Sequence, residues 1–513
     1  GFVLLMDDEA IDNFFRRGMG TITGSSLGME AMAEFQTLTA NYSAEYGGNG
    51  AVINYATKSG TNKFHGSVYE FLRNNKLDAR NTFSTVNPPF RYNQYGVAVG
   101  GPVIKDKTFF FGNWEQYDFR RTNTFIGSMP TARQRGGDFG DLLGANGALI
   151  PIYDPATTNG LTRSVFPNNR IPVSRMDPIS LKVQDFLPLP NSTDPTRQLI
   201  NNYNIPLYSN TKVTSNPSVK IDHNLSPTIK ISGYISRQLS SVPNHNGLNE
   251  LVTAVAPTNN RSTTARINYD QTLAPTLLLH VGIGYLYTYS PSITPSYDPA
   301  TLGLVGYDSG AFPNFAGLNN TTTGGTAIGI GAGAFSNYQQ WDQKPTMNTS
   351  LTWVKGNHTF KFGGEAMADG IINNTRQRAN GNFTFGADQT RNVWENGQAG
   401  LTGQSGFNYA SFLMGQAQSL VVSATGVMRL GNHGMGFYAQ DTWKATRKLT
   451  IDYGLRYDFQ TFMREQYGRM QDASFQTLDK KLNRPGAVLY GATCNCEFSH
   501  NYPYAYGPRL GGA

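Results

Sequence analysis

A chain of 513 residues with a formal net charge of +7 is long enough for several soluble domains or one very large one. Only 15% of its residues are charged, against about a quarter in an ordinary soluble protein, while 12% are aromatic and Gly (56) and Tyr (27) are abundant. The basic residues form no run and give no reading of nucleic-acid binding. No stretch approaches the roughly 18 apolar residues of a spanning helix, which leaves open a membrane barrel, whose alternating strands average out in hydropathy.

From the start of the chain, the apolar run Phe2–Met6 precedes Asp7, Asp8, Glu9 and Asp12. These carboxylates lack the glycine and closing glutamate of a calcium loop and read as solvated turn residues. Met29–Phe35 sets Met29, Met32, Ala33 and Phe35 near helical spacing, which predicts a short amphipathic helix in a small N-terminal core. The stretch Asn41–Asn74 is the point around which the chain is organised. Gly47, Gly48 and Gly50 permit tight bends, Ala51–Thr57 and Gly66–Leu72 are β-patterned, and Lys58-Ser59-Gly60-Thr61-Asn62 breaks the chain between them. Before this stretch the sequence reads as a small mixed domain, and after it as β-hairpins.

In Tyr92–Pro102, Tyr95, Val97 and Val99 share one face and Gln94, Gly96, Ala98 and Gly100 the other. Phe109–Phe119 sets Phe110, Gly112 and Trp114 against Asn113 and Glu115, with aromatic ends suited to a membrane–water boundary. Ser218–Leu239 alternates Val219 and Ile221 with Lys220 and Asp222, turns at Asn224-Leu225-Ser226-Pro227, and alternates Ile229, Ile231 and Ile235 with Lys230, Ser232 and Tyr234. The pattern recurs through the Ala274-Pro275 turn into Leu277–Tyr287, through Lys355-Gly356-Asn357 into Phe360–Ala366, and through Ala445–Lys448 into Leu449–Tyr457. Strands of about ten residues joined by short turns suit a tilted bilayer crossing. The long connections Ser241–Ser262, Ser290–Pro345 and Ile371–Gly434 then fall on the opposite side, an asymmetry of outer-membrane barrels.

From Met129 to Pro190 the Pro/Asn/Arg-rich sequence, including PNNRIPVSRMDP, argues against regular strands and reads as a large external loop. Tyr-Asp-Pro-Ala-Thr occurs at Tyr153–Thr157 and Tyr297–Thr301, which Asp-Pro turns explain without a repeat. Gly329–Gly333 lacks the lysine of a phosphate loop and reads as a flexible loop. Cys494-Asn495-Cys496, with His500 nearby, has no second ligand pair and reads as a loop disulfide or two free thiols rather than a zinc site. The dispersed histidines, with no His-Glu-x-x-His and no Gly-x-Ser-x-Gly, give no catalytic, metal or cofactor site.

Several blocks carry a resemblance. AEYG, then GAVINYATKSGTNKFHGSVYEF, then NQYGVAVGGPVIKDKTFFFGNWE resemble the plug-to-barrel junction and first barrel strands of TonB-dependent outer-membrane transporters, nearest the large Oar-like branch. FVLLMDDEAIDN and EAMAEFQTLTANYSAEYG are similar to that branch's plug, and YAQDTWKATRKLTIDYGLRYDFQ and YGPRL to its barrel. The resemblance implies a mainly β fold, a transmembrane antiparallel β-barrel incomplete in this chain with a small α/β plug segment. Residues 1–62 are expected to be the C-terminal part of the plug and 63–513 the first part of the barrel with long external loops.

It implies uptake of a scarce solute across the outer membrane, without enzymatic activity or cofactor. The implied partners are outer-membrane lipid, an unidentified solute and, for the full-length protein, the inner-membrane TonB energy complex; nucleic acid is not among them. The chain starts inside plug-like sequence and carries fewer strands than the about 22 of plugged transporters. It is therefore expected to be a fragment that does not transport alone. The alternative is a surface adhesin or glycan-binding scaffold, and a third reading is a soluble secreted β-protein.

Charged residues at the lumen-facing parity are the candidate site. Glu115, Lys220, Asp222, Arg266, Lys361, Glu365, Arg456 and Asp458 are the candidate lumen or plug contacts, and Lys230, Asp270 and Asp452 share their parity. Each also has a plainer reading as the wet face of an alternating strand. Arg456 and Asp458, in the family-like string GLRYD, rank first for testing.

Overall fold

The computed structural model describes residues 2–6, 9–10, 28–39, 43–47, 51–80, 82, 87, 89–144, 147–197, 199–243, 248–252, 256–318, 328–333, 336–395, 398–399, 405–494 and 500–513. Asp7, Asp8, Asp12, Gly48, Gly50 and Cys496 lie outside the described residues. Among the described residues no helix is long and apolar enough to cross a membrane.

The dominant element is a 13-stranded antiparallel sheet. Twelve of its strands follow one another in chain order, from His65–Asn74 to Ala505–Gly512, and the short Arg464–Glu465 strand pairs to one side. Its hairpins turn at Lys105–Lys107, Pro227-Thr228, Pro275-Thr276, Gly356-Asn357 and Arg447-Lys448, all at one end. Gly356, at φ +61°, supplies the left-handed backbone its two-residue turn requires. The strands reach 24 residues in Tyr203–Ser226 and 21 in Gly426–Thr446, well beyond the ten expected for a bilayer crossing. Polar residues continue the ladder past the apolar belt, where no solvent change marks a boundary in the sequence.

Pro345, taken from the sequence as the end of a connection, lies inside the Tyr338–Lys355 strand. It pairs with Tyr285 on one side, and the ladder to the other neighbour skips positions 344 and 345, which accommodates the missing N–H.

Alternation is the organising pattern. Val97, Val219, Ile267, Ile283, Phe362, Phe437 and Leu455 are exposed on one face; Ile267 is 59% exposed and Leu455 50%. Their sequence neighbours Ala98, Lys220, Arg266, Gly284, Tyr438 and Arg456 are buried on the other. From Leu277 to Tyr287 every outward-parity side chain is exposed or half-buried, so no second sheet covers this face. Near the short turns His358 stacks on Trp443 at 5.6 Å, and at the far end of the same face Tyr289 stacks on Trp341 at 5.2 Å. Two aromatic levels flanking an apolar band mark a surface that meets lipid.

The sheet is open: His65–Asn74 and Ala505–Gly512 each pair on one side only among the described residues. Val68 is 84% exposed and Leu510 79%.

A second sheet of four strands, in the order Glu9–Ala10, Phe2–Met6, Ala51–Thr57, Met32–Leu38, precedes it. The helix expected over Met29–Phe35 is not formed. Met29–Ala31 makes a single 3-10 turn, and Met32–Leu38 pairs antiparallel with Ala51–Thr57. Seven residues are too few to sustain a helix alone, whereas the ladder satisfies their backbone directly. The core there is small among the described residues: Phe35 is 63% exposed, and Leu5, Met6, Ala31 and Val52 are the buried apolar side chains of the sheet and its 3-10 turn. Met6 packs with Tyr234 of the large sheet's wall. So small an apolar core leaves the seating of this sheet to polar contacts.

The long connections are not irregular. Residues 128–202, 248–252, 293–337 and 376–425 contribute to one hydrophobic cluster that includes Phe139, Ile171, Val252, Phe312, Phe315 and Phe412. Asn169, from the PNNRIP string, is its polar hub. Buried at φ +54°, it accepts from the Ile152 N–H at 2.7 Å and donates to Phe139 O at 2.8 Å and Ile150 O at 3.0 Å. Both Tyr-Asp-Pro-Ala-Thr strings make the same aspartate contact, Asp154 accepting from Ala156 N at 2.9 Å and Asp298 from Ala300 N at 3.0 Å, but the first lies in the strand Tyr153–Asn159 and the second opens the 3-10 turn Pro299–Thr301. Gly329–Gly333 is packed rather than loose: Ile330 is fully buried and bonds to Phe315, and a Cβ on Gly331 would collide with Pro313 O. Cys494 takes part in a disulfide.

Candidate functional site

The inner face of the large sheet grips the N-terminal segment at two places. In the first, Glu115 accepts three hydrogen bonds, from the Tyr69 hydroxyl at 2.7 Å, the Gln94 amide at 3.0 Å and the Met29 N–H at 3.1 Å. A carboxylate with three donors is strongly held. Beside it the Asn113 side chain lies against Gly28, where an added Cβ would come within 2.9 Å of its Oδ1. On the next strand Lys220 donates to Thr57 Oγ1 at 2.8 Å and Thr57 O at 3.3 Å. Within the segment Lys58 meets Glu30 at 2.7 Å, and that hydrogen bond holds the Glu30 carboxyl below its usual range.

The second place centres on Arg456, whose side chain is 1% exposed. Its Nε donates to Asp458 at 2.8 and 3.1 Å, and its Nη1 to Glu45 O at 2.8 Å and Ala44 O at 3.4 Å. Its Nη2 pairs with Glu365, and Lys361 pairs with Glu45. Gln440 completes the grip, accepting from Ser43 Oγ at 2.8 Å and from the Ala44 N–H at 2.7 Å. The planar guanidinium can serve two carboxylates and two main-chain oxygens at once, which an ammonium cannot. Glycines make the room: a Cβ on Gly47 would stand 2.7 Å from Arg456 Nη2, and one on Gly436 would collide with the same nitrogen.

Of the eight candidate residues, Glu115, Lys220, Lys361 and Arg456 touch the N-terminal segment, and Glu365 and Asp458 brace Arg456. Asp222 lies on the Lys220 strand and Arg266 two strands further on, both buried on the inner face. Asp222 pairs with Lys230 at 3.1 Å, and Arg266 donates to Asn268 Oδ1 at 3.3 Å. Sequence reasoning missed Tyr69, Gln94, Asn113 and Gln440. Gln94 and Asn113 were visible at inward parity but carry no charge to single them out, and Tyr69 reads like any lipid-facing aromatic.

A cavity of about 1150 Å³ lies beside the second grip, lined among others by Glu45, Lys344, Lys361, Glu365, Asp369 and Asp458. Its wall is mixed, these charged side chains standing among apolar ones such as Leu279, Met347 and Met367. Among the described residues no group of three or more His, Cys, Asp or Glu is placed to hold a metal ion.

Comparison with known proteins agrees with this geometry. A family model described as "Outer membrane beta barrel domain" matches residues 56–513. The TonB-dependent transporter Oar of Myxococcus xanthus is 23% identical over 509 residues, covering 91% of this chain and 43% of that protein. Among solved structures, the outer membrane transporter YddB from Escherichia coli is similar in fold, with a TM-score of 0.50 at 14% identity, covering 90% of this chain and 48% of that one. The chain thus spans about half the length of the relatives it matches. With an apolar outward face, a polar inward face and a family match over most of its length, the chain belongs to the outer-membrane β-barrel family and resides in the outer membrane of a Gram-negative type of cell.

Proposed function

We propose that the chain comprises the end of a plug, residues 1–62, and the first part of the barrel, residues 63–513, of a TonB-dependent transporter that takes up a scarce solute. The observation that supports this most is the grip of Arg456 on the main-chain oxygens of Ala44 and Glu45. The name of the similar Oar protein points the same way.

In this reading Arg456, Lys361, Gln440, Glu115 and Lys220 hold the plug against the wall at rest. The inner-membrane energy complex pulls on the N-terminal side of the plug, the hydrogen bonds are exchanged for water, and a path opens along the adjoining cavity. Each such bond contributes about 0.5–3 kcal/mol, the larger values for charged partners, so the seat is firm yet within reach of a mechanical pull. The role is transport without enzymatic chemistry.

A reversible lock tests it. A Cβ built on Gly454 lies 3.2 Å from Ala44 Cβ, near the separation of about 3.5–4.5 Å that a disulfide spans. The Ala44→Cys, Gly454→Cys pair in the full-length protein is expected to abolish energised uptake when oxidised and to restore it on reduction. Uptake indifferent to the lock would show that residues 43–47 need not leave the wall, and an absence of energised uptake in either state would favour an adhesin.

A further inference from the structure

We infer that four of the long outer connections, those contributing 128–202, 248–252, 293–337 and 376–425, form a single cooperative cap, whose parts order and open together rather than as separate loops. The inference is independent of the transport reading, because it rests on how these connections are joined to one another. Between 128–202 and 376–425, Asp177 N donates to Leu413 O at 2.7 Å, Tyr153 N to Thr390 O at 2.8 Å, and Gly406 N to Pro151 O at 2.9 Å. Arg163 adds a side-chain clasp, with Nη1 donating to the carbonyls of Asp388, Gln389 and Arg391.

Between 376–425 and 293–337, Phe385 N donates to Ala316 O at 3.0 Å, Asp308 N to Ala379 O at 3.1 Å, and Phe315 stacks on Phe383 at 5.3 Å. The last link runs from Gly331 N to Val252 O at 2.9 Å. Each of these four connections is therefore bonded to another, and all four share the one apolar cluster. Lifting any of them alone strips apolar side chains and backbone partners from the rest, so partial opening is disfavoured against opening the whole.

The places where the cap joins the strands are built differently. At one stalk Asn202 accepts from Met129 N at 2.7 Å and donates to Met129 O at 2.9 Å. At another, Asn337, at φ +59°, accepts from Thr294 N at 3.1 Å on its side chain and from Arg376 N at 2.8 Å on its main chain.

Hydrogen exchange on the full chain in detergent tests this. Phe312, 1% exposed, sits between Phe186 at 4.9 Å and Tyr297 at 4.7 Å. Phe312→Ala is expected to speed exchange about tenfold in 139–187 and 405–414 as well as in its own connection, with the 261–290 strands unchanged. Val305→Ala, at an 82% exposed position of the same connection, is the control and should change nothing. Should Phe312→Ala fail to fold, Ile330→Val reads the same spread at smaller amplitude. Acceleration confined to 293–337 in either variant would overturn the inference.

Discussion

The Arg456 guanidinium donates to the main-chain oxygen of Glu45 at 2.8 Å, joining residues 411 positions apart in sequence. Because the acceptor is a carbonyl, the contact depends on where the backbone of the N-terminal segment lies. The Glu45 side chain is separately engaged by Lys361. One residue is thus held through its backbone by one strand and through its carboxylate by another.

Replacing Arg456 with alanine should free residues 43–47. Loss of one member of a fully buried ion pair costs about 3–5 kcal/mol, but the Glu365 and Asp458 side chains are 37% and 43% exposed and regain water. The expected loss in seating is therefore about 2 kcal/mol, read as a rise of roughly thirtyfold in hydrogen exchange or protease cleavage at that segment. Arg456→Lys should fall between, since an ammonium cannot satisfy all four acceptors.

Gly436→Ala should reproduce the Arg456→Ala phenotype without touching the arginine. The added methyl would collide with Arg456 Nη2 and stand 2.8 Å from Asp458 Oδ1, on a central strand with no room to yield. If exchange at residues 43–47 stays at the wild-type rate, the guanidinium is not confined as described.

At the other grip, Glu115→Gln keeps an oxygen for Tyr69 and the Met29 N–H but loses the charge. A loss of about 1 kcal/mol is expected. Glu115→Leu leaves three donors without their acceptor and should cost about 3 kcal/mol. Exchange at Met29–Ala31 relative to Ala51–Thr57 measures both.

For the outer cap, Asn169→Ala removes three side-chain hydrogen bonds from a buried position and should destabilise it by about 2–3 kcal/mol. Asn169→Asp should be worse, because a carboxylate oxygen would replace the donor facing two carbonyls. Limited proteolysis within 139–187 distinguishes the two.

Acid should loosen the cap. The Gly140 N–H, and then Arg133, hold Asp138 below its ordinary value of 3.8. Burial pushes Asp154 up, and the hydrogen bond from Arg175, the Ala156 N–H and the Arg175 charge together more than reverse this, so it too lies below 3.8. A carboxyl lowered by folding stabilises fully above its unfolded value and loses that contribution as pH falls through the lowered one. Protection of the cap, after correction for the pH dependence of intrinsic exchange, should be flat from neutral pH down to about 4 and fall below 3.8. Asp138→Asn should remove part of that dependence.

Alternation made the wall legible. A side chain two positions from Arg456 along its strand faces the same way, so Asp458 and Arg456 were placed on the inward face from spacing alone. What spacing does not carry is the partner: Gln440 meets Ser43 across 397 positions, and nothing near either residue signals it. The helix expected at Met29–Phe35 fails for a related reason, because its fate is decided by the distant Ala51–Thr57 strand. The cap was least visible. Phe139 and Ile171 stand singly among Gly, Asp, Asn and Pro with no period to reveal a buried face, and Asn169 looks like any turn residue.

The shared apolar cluster also constrains how such a surface can diverge. Loops that stand alone can be exchanged one at a time between related receptors. Here a graft of 293–337 alone would carry away Phe312 and Phe315 and leave Phe186, Phe385 and Phe412 facing a void. New recognition is then confined to side chains on the cap's outer skin, or requires that several segments be inherited as a block.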